Sequence, residues 1–216
     1  MATLNLKQIK CACCGHVQNS QVLENVTSNL NLSNYNLFKS FNVQICQNCG
    51  YVSSNLEIKR ETYPKIPALN ESNFDFKIEL INNIKIYEIL CDFEQNKEIK
   101  LQLLASIFNS KKKLLNSVLH ENYNTRNIDT INKIETIQKD LLDFTTSLLK
   151  FIKANKFKLK YFNDALIDVL KVELLCVISE TNQAEELLKT LDIEDDRLLE
   201  YLECCIEIGG KLCFNL

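Results

Sequence analysis

The chain has no tryptophan, two prolines, four glycines and two histidines among its 216 residues. Arginine occurs only at Arg60, Arg126 and Arg197. Each scarcity excludes something. His16 and His120 lie in no His-Glu-x-x-His or zinc-deaminase pattern, and no nucleophile elbow or phosphate-binding glycine loop is present. No catalytic constellation is therefore expected. Arginine is the preferred fork for phosphate and guanine, so its scarcity counts against sequence-specific DNA reading. No apolar run is long enough to span a bilayer, and residues 1–10 lack the apolar stretch of a signal peptide. The expectation is a cytoplasmic, reduced chain without a membrane partner.

The few prolines and glycines act as punctuation. Pro64 and Pro67 fall within residues 61–69, and proline cannot continue a helix interior or a central strand. Three parts follow: a module over 1–60, a linker over 61–72 and a second domain over 73–216. Two of the four glycines, Gly15 and Gly50, directly follow a Cys-x-x-Cys, where a positive φ is needed.

Cysteine is abundant, with ten residues. In a reduced chain, clustered cysteines read as metal ligands before disulfides. The two signatures are Cys11-Ala-Cys-Cys14-Gly15-His16 and Cys46-Gln-Asn-Cys49-Gly50-Tyr51. Two intervening residues let one tight turn aim both sulfurs at one ion. The following glycine lets backbone amides point at sulfur. Two such turns supply four thiolates, and tetrahedral S₄ coordination suits Zn²⁺. The expected ligands are Cys11, Cys14, Cys46 and Cys49, with Cys13 and His16 as alternatives that could shift the set. A closed four-thiolate site leaves no position for water or substrate, so its role is structural. Cys91 and Cys176 fall on apolar helical stretches and read as core. Cys204, Cys205 and Cys213 lack the Cys-x-x-Cys spacing that would argue a second metal.

The periodicity separates the two domains. Phe41, Val43 and Ile45 alternate with Asn42 and Gln44, which argues a strand into Cys46 with 51–58 as its return. Leu4, Leu6 and Ile9 form a weaker version before Cys11. After the linker, apolar residues recur at three and four. Helices are expected over 78–122 with a break near Asn96, from Ile128 with Asn127 as cap, over 166–178, over 183–191, and from Asp192 to a stop at Gly209 and Gly210. The fold class is thus mainly α: a small N-terminal β zinc ribbon followed by an all-helical domain of antiparallel hairpins or a bundle.

The stretch Phe41-Asn-Val-Gln-Ile-Cys46-Gln-Asn-Cys49-Gly50-Tyr51, with its upstream Cys-x-x-Cys, resembles a bacterial family whose function is not established. Members of that family continue from a two-Cys-x-x-Cys ribbon into helices similar to tetratricopeptide repeats. Residues 166–209 are loosely similar to that helical region, with Ala184 as a small packing residue. The family's usual proline is missing from both cysteine pairs here. The resemblance implies the same four ligands and carries no activity.

Function is bounded by charge. Residues 1–72 carry six basic and four acidic residues, a net +2, and the remainder nineteen and twenty-four, a net −5, giving −3 in all. Neither part has a strong electrostatic footprint for nucleic acid. Around the knuckles only Lys7, Lys10 and His16 offer positive charge, and Tyr51 is the aromatic there. Lys111–Lys113 and the lysines at 150, 153, 156, 158 and 160 read as solvated helix faces. The leading expectation is a non-catalytic zinc-binding adaptor that engages a protein partner through its helices. The alternative is a nucleic-acid-associated zinc-ribbon regulator.

Overall fold

A computed structural model of the chain describes residues 3–24, 29–40, 43–53, 55–58, 76–125, 128–160 and 162–209. Strands β1 (Thr3–Lys10) and β2 (Val17–Glu24) form an antiparallel hairpin, and β3 (Gln44–Ile45) and β4 (Val52–Ser53) form a second, much shorter one. Between them lies helix α1 (Leu32–Phe38). Six further helices follow among the described residues: α2 (Phe76–Phe93), α3 (Lys97–Thr125), α4 (Ile128–Ala154), α5 (Ala165–Val177), α6 (Thr181–Leu188) and α7 (Asp196–Ile208). The fold is mainly helical with a small N-terminal β region, as the sequence pattern implies. No helix of the described residues is long and apolar enough to cross a membrane. The proline-containing linker lies outside the described residues.

The helix ends follow local chemistry. Asn96 breaks the long apolar stretch as expected, because its Oδ1 accepts from the Glu98 and Ile99 amides at 2.9 and 3.2 Å and so starts α3. The last helix begins later than the acidic run suggests. Asp195, not Asp192, is its N-cap, accepting from the Arg197 and Leu198 amides at 3.0 and 3.1 Å. It ends at Gly209, with φ of 44°; the expected cap Asn127, and Gly210, lie outside the described residues. The α5 terminus is closed without glycine. Ser179 takes φ of 65°, and the Glu180 amide returns to the Leu175 carbonyl at 2.9 Å, a Schellman-type ending.

Consecutive helices pack on one another and build two apolar clusters. The larger joins α3, α4, α5 and α7 around Leu141, Leu148, Leu166, Leu170 and Leu174, and it takes Tyr35 and Phe38 of α1 into its interior. The smaller is shared between the cysteine-bearing hairpins and the α2–α3 pair. Cys11, Cys46, Tyr51, Val52 and Leu56 meet Ile84, Leu90, Leu103 and Ile107 there. Helix α3 serves both: Leu103 and Ile107 face the hairpins, while Leu101, Ala105, Phe108 and Leu115 face the larger cluster. Residues four apart share a helix face, so one long helix presents two apolar stripes. Each fully buried Leu or Phe contributes roughly 1.5–3 kcal/mol, so the larger cluster carries most of the apolar stabilisation.

Three further expectations need correction. Lys111 and Lys112 are buried rather than solvated: Lys111 pairs with Asp140 at 2.5 Å and Lys112 pairs with Glu173. Gln44 points inward, 6% exposed, where alternation with Val43 and Ile45 implies an outward side chain. The reason is hydrogen bonding: its Nε2 donates to the Gln21 carbonyl and its Oε1 accepts from the Leu56 amide. Finally, the expected return strand over 51–58 shortens to Val52–Ser53, because 56–58 turn back against the first knuckle.

Candidate metal centre

Each cysteine pair sits at the tip of a hairpin, and the two tips share one geometry. The Cys11 amide donates to the His16 carbonyl at 2.8 Å and the Gly15 amide to the Cys11 carbonyl at 2.7 Å. In the second tip the Cys46 amide donates to the Tyr51 carbonyl at 2.8 Å and the Gly50 amide to the Cys46 carbonyl at 2.9 Å. Gly15 and Gly50 have φ of 78° and 69°, in the left-handed region that β-carbon sterics deny to most residues. The reversal turns the amides that follow toward sulfur. The His16 amide reaches Cys14, and its counterpart, the Tyr51 amide, reaches Cys49.

The two tips meet face to face. Cys11 Sγ lies 3.9 Å from Cys49 Sγ, and Cys14 Sγ lies 3.6 Å from Cys46 Sγ. All four sulfurs lie within 4.8 Å of one another. With Zn–S bonds of about 2.3 Å, a regular tetrahedron has S···S edges of about 3.8 Å. The two opposite edges quoted fall on either side of that value and the remaining pairs lie within 4.8 Å, so the four sulfurs are grouped closely enough to hold one metal ion. Among the described residues this cluster includes neither Cys13 nor His16. Cys13 packs instead at the edge of the smaller apolar cluster. No second ligand cluster is formed by Cys204 or Cys205 among the described residues, and Cys213 lies outside them. Cys91, Cys176 and Cys205 are buried.

The environment grades from dry to wet. Cys11 and Cys46 are buried, Cys49 is half-buried and Cys14 is exposed. The Asn48 amide donates to Cys14 Sγ at 3.6 Å; with the His16 amide, it lowers the Cys14 pKa to about 6. Burial, reinforced by the neighbouring thiols, pushes Cys49 up to about 12 and raises Cys46 as well. Cys14 is thus the readiest to ionise, while Cys46 and Cys49 give up their protons less easily. A cation entering the cluster must displace those protons, which makes affinity depend on pH.

Side-chain amides join the two hairpins, and sequence reasoning missed them. Gln18 is buried; its Nε2 donates to the Ile45 carbonyl at 2.8 Å and its Oε1 accepts from the Gln47 amide at 2.9 Å. The Ala12 amide donates to the Leu56 carbonyl at 2.8 Å. Polar residues facing inward on β2 hide that strand from any apolar-periodicity test. Tyr51 is also not an available stacking surface: it is 2% exposed and donates to the Ile58 carbonyl at 2.8 Å. Comparison of this chain with family models, with curated proteins and with solved structures finds no match.

Proposed function

We propose that Cys11, Cys14, Cys46 and Cys49 hold one Zn²⁺ as a closed structural site, and that the protein is a non-catalytic, zinc-binding adaptor. The observation that carries the zinc reading is the close grouping of four sulfurs by two matching turns. Four thiolates saturate the ion, leaving no coordination position for a substrate, which favours a structural over a catalytic role. The resemblance of residues 41–51 to the two-Cys-x-x-Cys bacterial family points the same way.

The adaptor half rests on α2. Ile78, Ile81, Ile89 and Phe93 recur on its outer side with roughly 40–50% of each exposed. The nucleic-acid alternative has less behind it, since Tyr51 is buried and few cations surround the turns.

Cobalt substitution tests the site. Co²⁺ added to metal-free protein should give the visible absorption of a tetrahedral four-sulfur complex, and zinc should bleach it at one equivalent. An octahedral spectrum, or none, would sink the reading. For the adaptor half, Ile81→Glu with Ile89→Glu should abolish co-purification of whatever protein accompanies the wild-type chain. Unchanged co-purification would remove α2 from the argument.

A further inference from the structure

The loop that joins the two cysteine pairs does more than close a distance. It contains α1, and α1 is inserted into the helical part of the protein. Tyr35 and Phe38 are fully buried, and Lys39, directly after the helix, is 4% exposed. Phe38 packs edge-on against Phe162, with ring centroids 5.7 Å apart. Tyr35 OH and Lys39 Nζ both donate to Oε2 of Glu173, a fully buried carboxylate on α5. The Lys39 contact is 3.0 Å.

The other carboxylate oxygen is held from the helical side alone. Lys112 of α3 and Tyr201 of α7 donate to Oε1. Glu173 therefore takes four donors, as many as an ionised carboxylate accommodates. Half of them come from the segment between the metal-binding turns. The Lys39 ammonium also sits 4.0 Å from the Tyr35 ring centroid, so the two donors hold each other. Burial alone would raise the Glu173 pKa, but Lys112 and Lys39 together hold it well below the usual carboxylate range. The carboxylate is charged, and it needs both sets of partners.

Seven peptide steps lead from Lys39 to Cys46, a span of at most about 25 Å when fully extended. A ligand of the cluster and the partner of Glu173 are thus carried on one short tether. Helix α3 makes a second link, because Leu103 and Ile107 pack under the cysteine-bearing turns while Lys112, further along, holds Glu173.

We propose that α1 is a metal-linked clamp, so that filling the four-cysteine site holds Tyr35 and Lys39 on Glu173 and emptying it releases them. The inference rests on the zinc reading above but assigns something further: the helical part senses whether the metal is present. Release uncovers the space that Tyr35 and Phe38 fill between α3, α5 and α7. Coupling between sites is reciprocal, so weakening the clamp must weaken metal binding by the same factor.

Cys205 supplies a reporter within the full chain. It is 2% exposed, hydrogen-bonded with Tyr201, and within electrostatic reach of Tyr35 and Lys39. The experiment compares alkylation of Cys205, located by peptide mass, in zinc-loaded and chelator-stripped protein, with bound zinc measured in both. Stripping should accelerate Cys205 labelling at least about tenfold while Cys176, fully buried on α5, stays protected and helical circular dichroism persists. In the reverse direction, Lys39→Met should weaken zinc affinity roughly tenfold, whereas Lys39→Arg should keep most of it. If Lys39→Met does not fold, Tyr35→Phe removes one donor while keeping the ring. Zinc that binds and leaves without changing Cys205 labelling overturns the clamp and leaves the zinc site standing. Equal acceleration at Cys176 with loss of helicity means global unfolding and also overturns it. A chain that takes up no zinc overturns both.

Discussion

The protein contains two interiors built on different physics. Around the four cysteines, buried glutamines, backbone amides and sulfurs join the two hairpins over a small apolar cluster shared with α2 and α3. Around Glu173 the interior is broad and apolar, and it contains one saturated ionic cluster. The first interior buries fewer apolar side chains than the second, against a cost of roughly 1–2 kcal/mol per residue for ordering the backbone alone. On the proposed zinc reading, a metal cross-link adds to what apolar burial supplies there. The second has that burial, so its charged cluster acts as a locating device for α1 rather than as the main source of stability.

The largest effect should come from breaking the cross-link. Cys46→Ser removes a buried thiol of the proposed site, and metal-dependent folding of small cysteine modules is worth on the order of 10–16 kcal/mol. Hydrogen exchange should show residues 3–24 and 43–58 losing protection, with α5 and α6 largely retaining theirs. Equal loss everywhere would erase the distinction between the two interiors.

Glu173→Gln should act on the other side of the comparison. It removes the carboxylate that Lys39 and Lys112 share, and breaking such a pair costs about 3–5 kcal/mol. The thermal midpoint of the helical transition should fall accordingly. The pH dependence has a definite sign. Glu173 has a folded pKa below its unfolded value. Its stabilising contribution is therefore complete above about pH 4.3, the ordinary glutamate pKa, and is lost progressively as pH falls further. The gap between wild type and variant should narrow in acid; a gap that widens there would show that the carboxylate is not charged.

Smaller changes sharpen the contrast. Gln18→Ala strands the Gln47 amide and the Ile45 carbonyl, at about 1–3 kcal/mol, and should loosen metal binding; with zinc in excess the filled site keeps α1 in place, so the helical transition should not move. Ser179→Gly relieves a left-handed residue at the end of α5, where a side chain costs about 1–2 kcal/mol. It should raise the helical midpoint by a few degrees and leave metal affinity unchanged. A shift in the wrong transition for either variant would mean that the two interiors are not separable in this way.

The comparison also explains what could be read from sequence. Cys-x-x-Cys-Gly is legible because two sulfurs aimed from one turn need that spacing and a positive φ. The helices from α2 to α6 are legible because apolar residues recur at three and four along α4 and form a continuous run in α5, which is buried nearly all round. The start of α7 is misplaced because several acids could cap it, and only the geometry selects Asp195. The first hairpin was legible only in part: among the β2 side chains described, the buried ones are Gln18 and Ser20, and on β1 Leu6 is 73% exposed. Helix α1 does carry a signal, with Asn31 accepting from the Asn34 amide at 2.8 Å and apolar residues at 32, 35 and 38. Seven residues are too few for periodicity to stand out. Glu173 was invisible for another reason: its partners come from α1, α3 and α7, up to 138 residues away, and no local pattern links them.

The central claim is that four thiolates and one zinc ion close the N-terminal interior. Intact-mass measurement under native conditions, paired with thiol counting before and after chelation, tests it most directly. One zinc per chain should be found, and chelation should free four thiols belonging to Cys11, Cys14, Cys46 and Cys49. Zinc uptake at pH 7 should release at least two protons, because Cys46 and Cys49 hold theirs until the ion arrives. A folded chain of metal-free mass, with those four thiols already free and no proton release on adding zinc, would contradict the account.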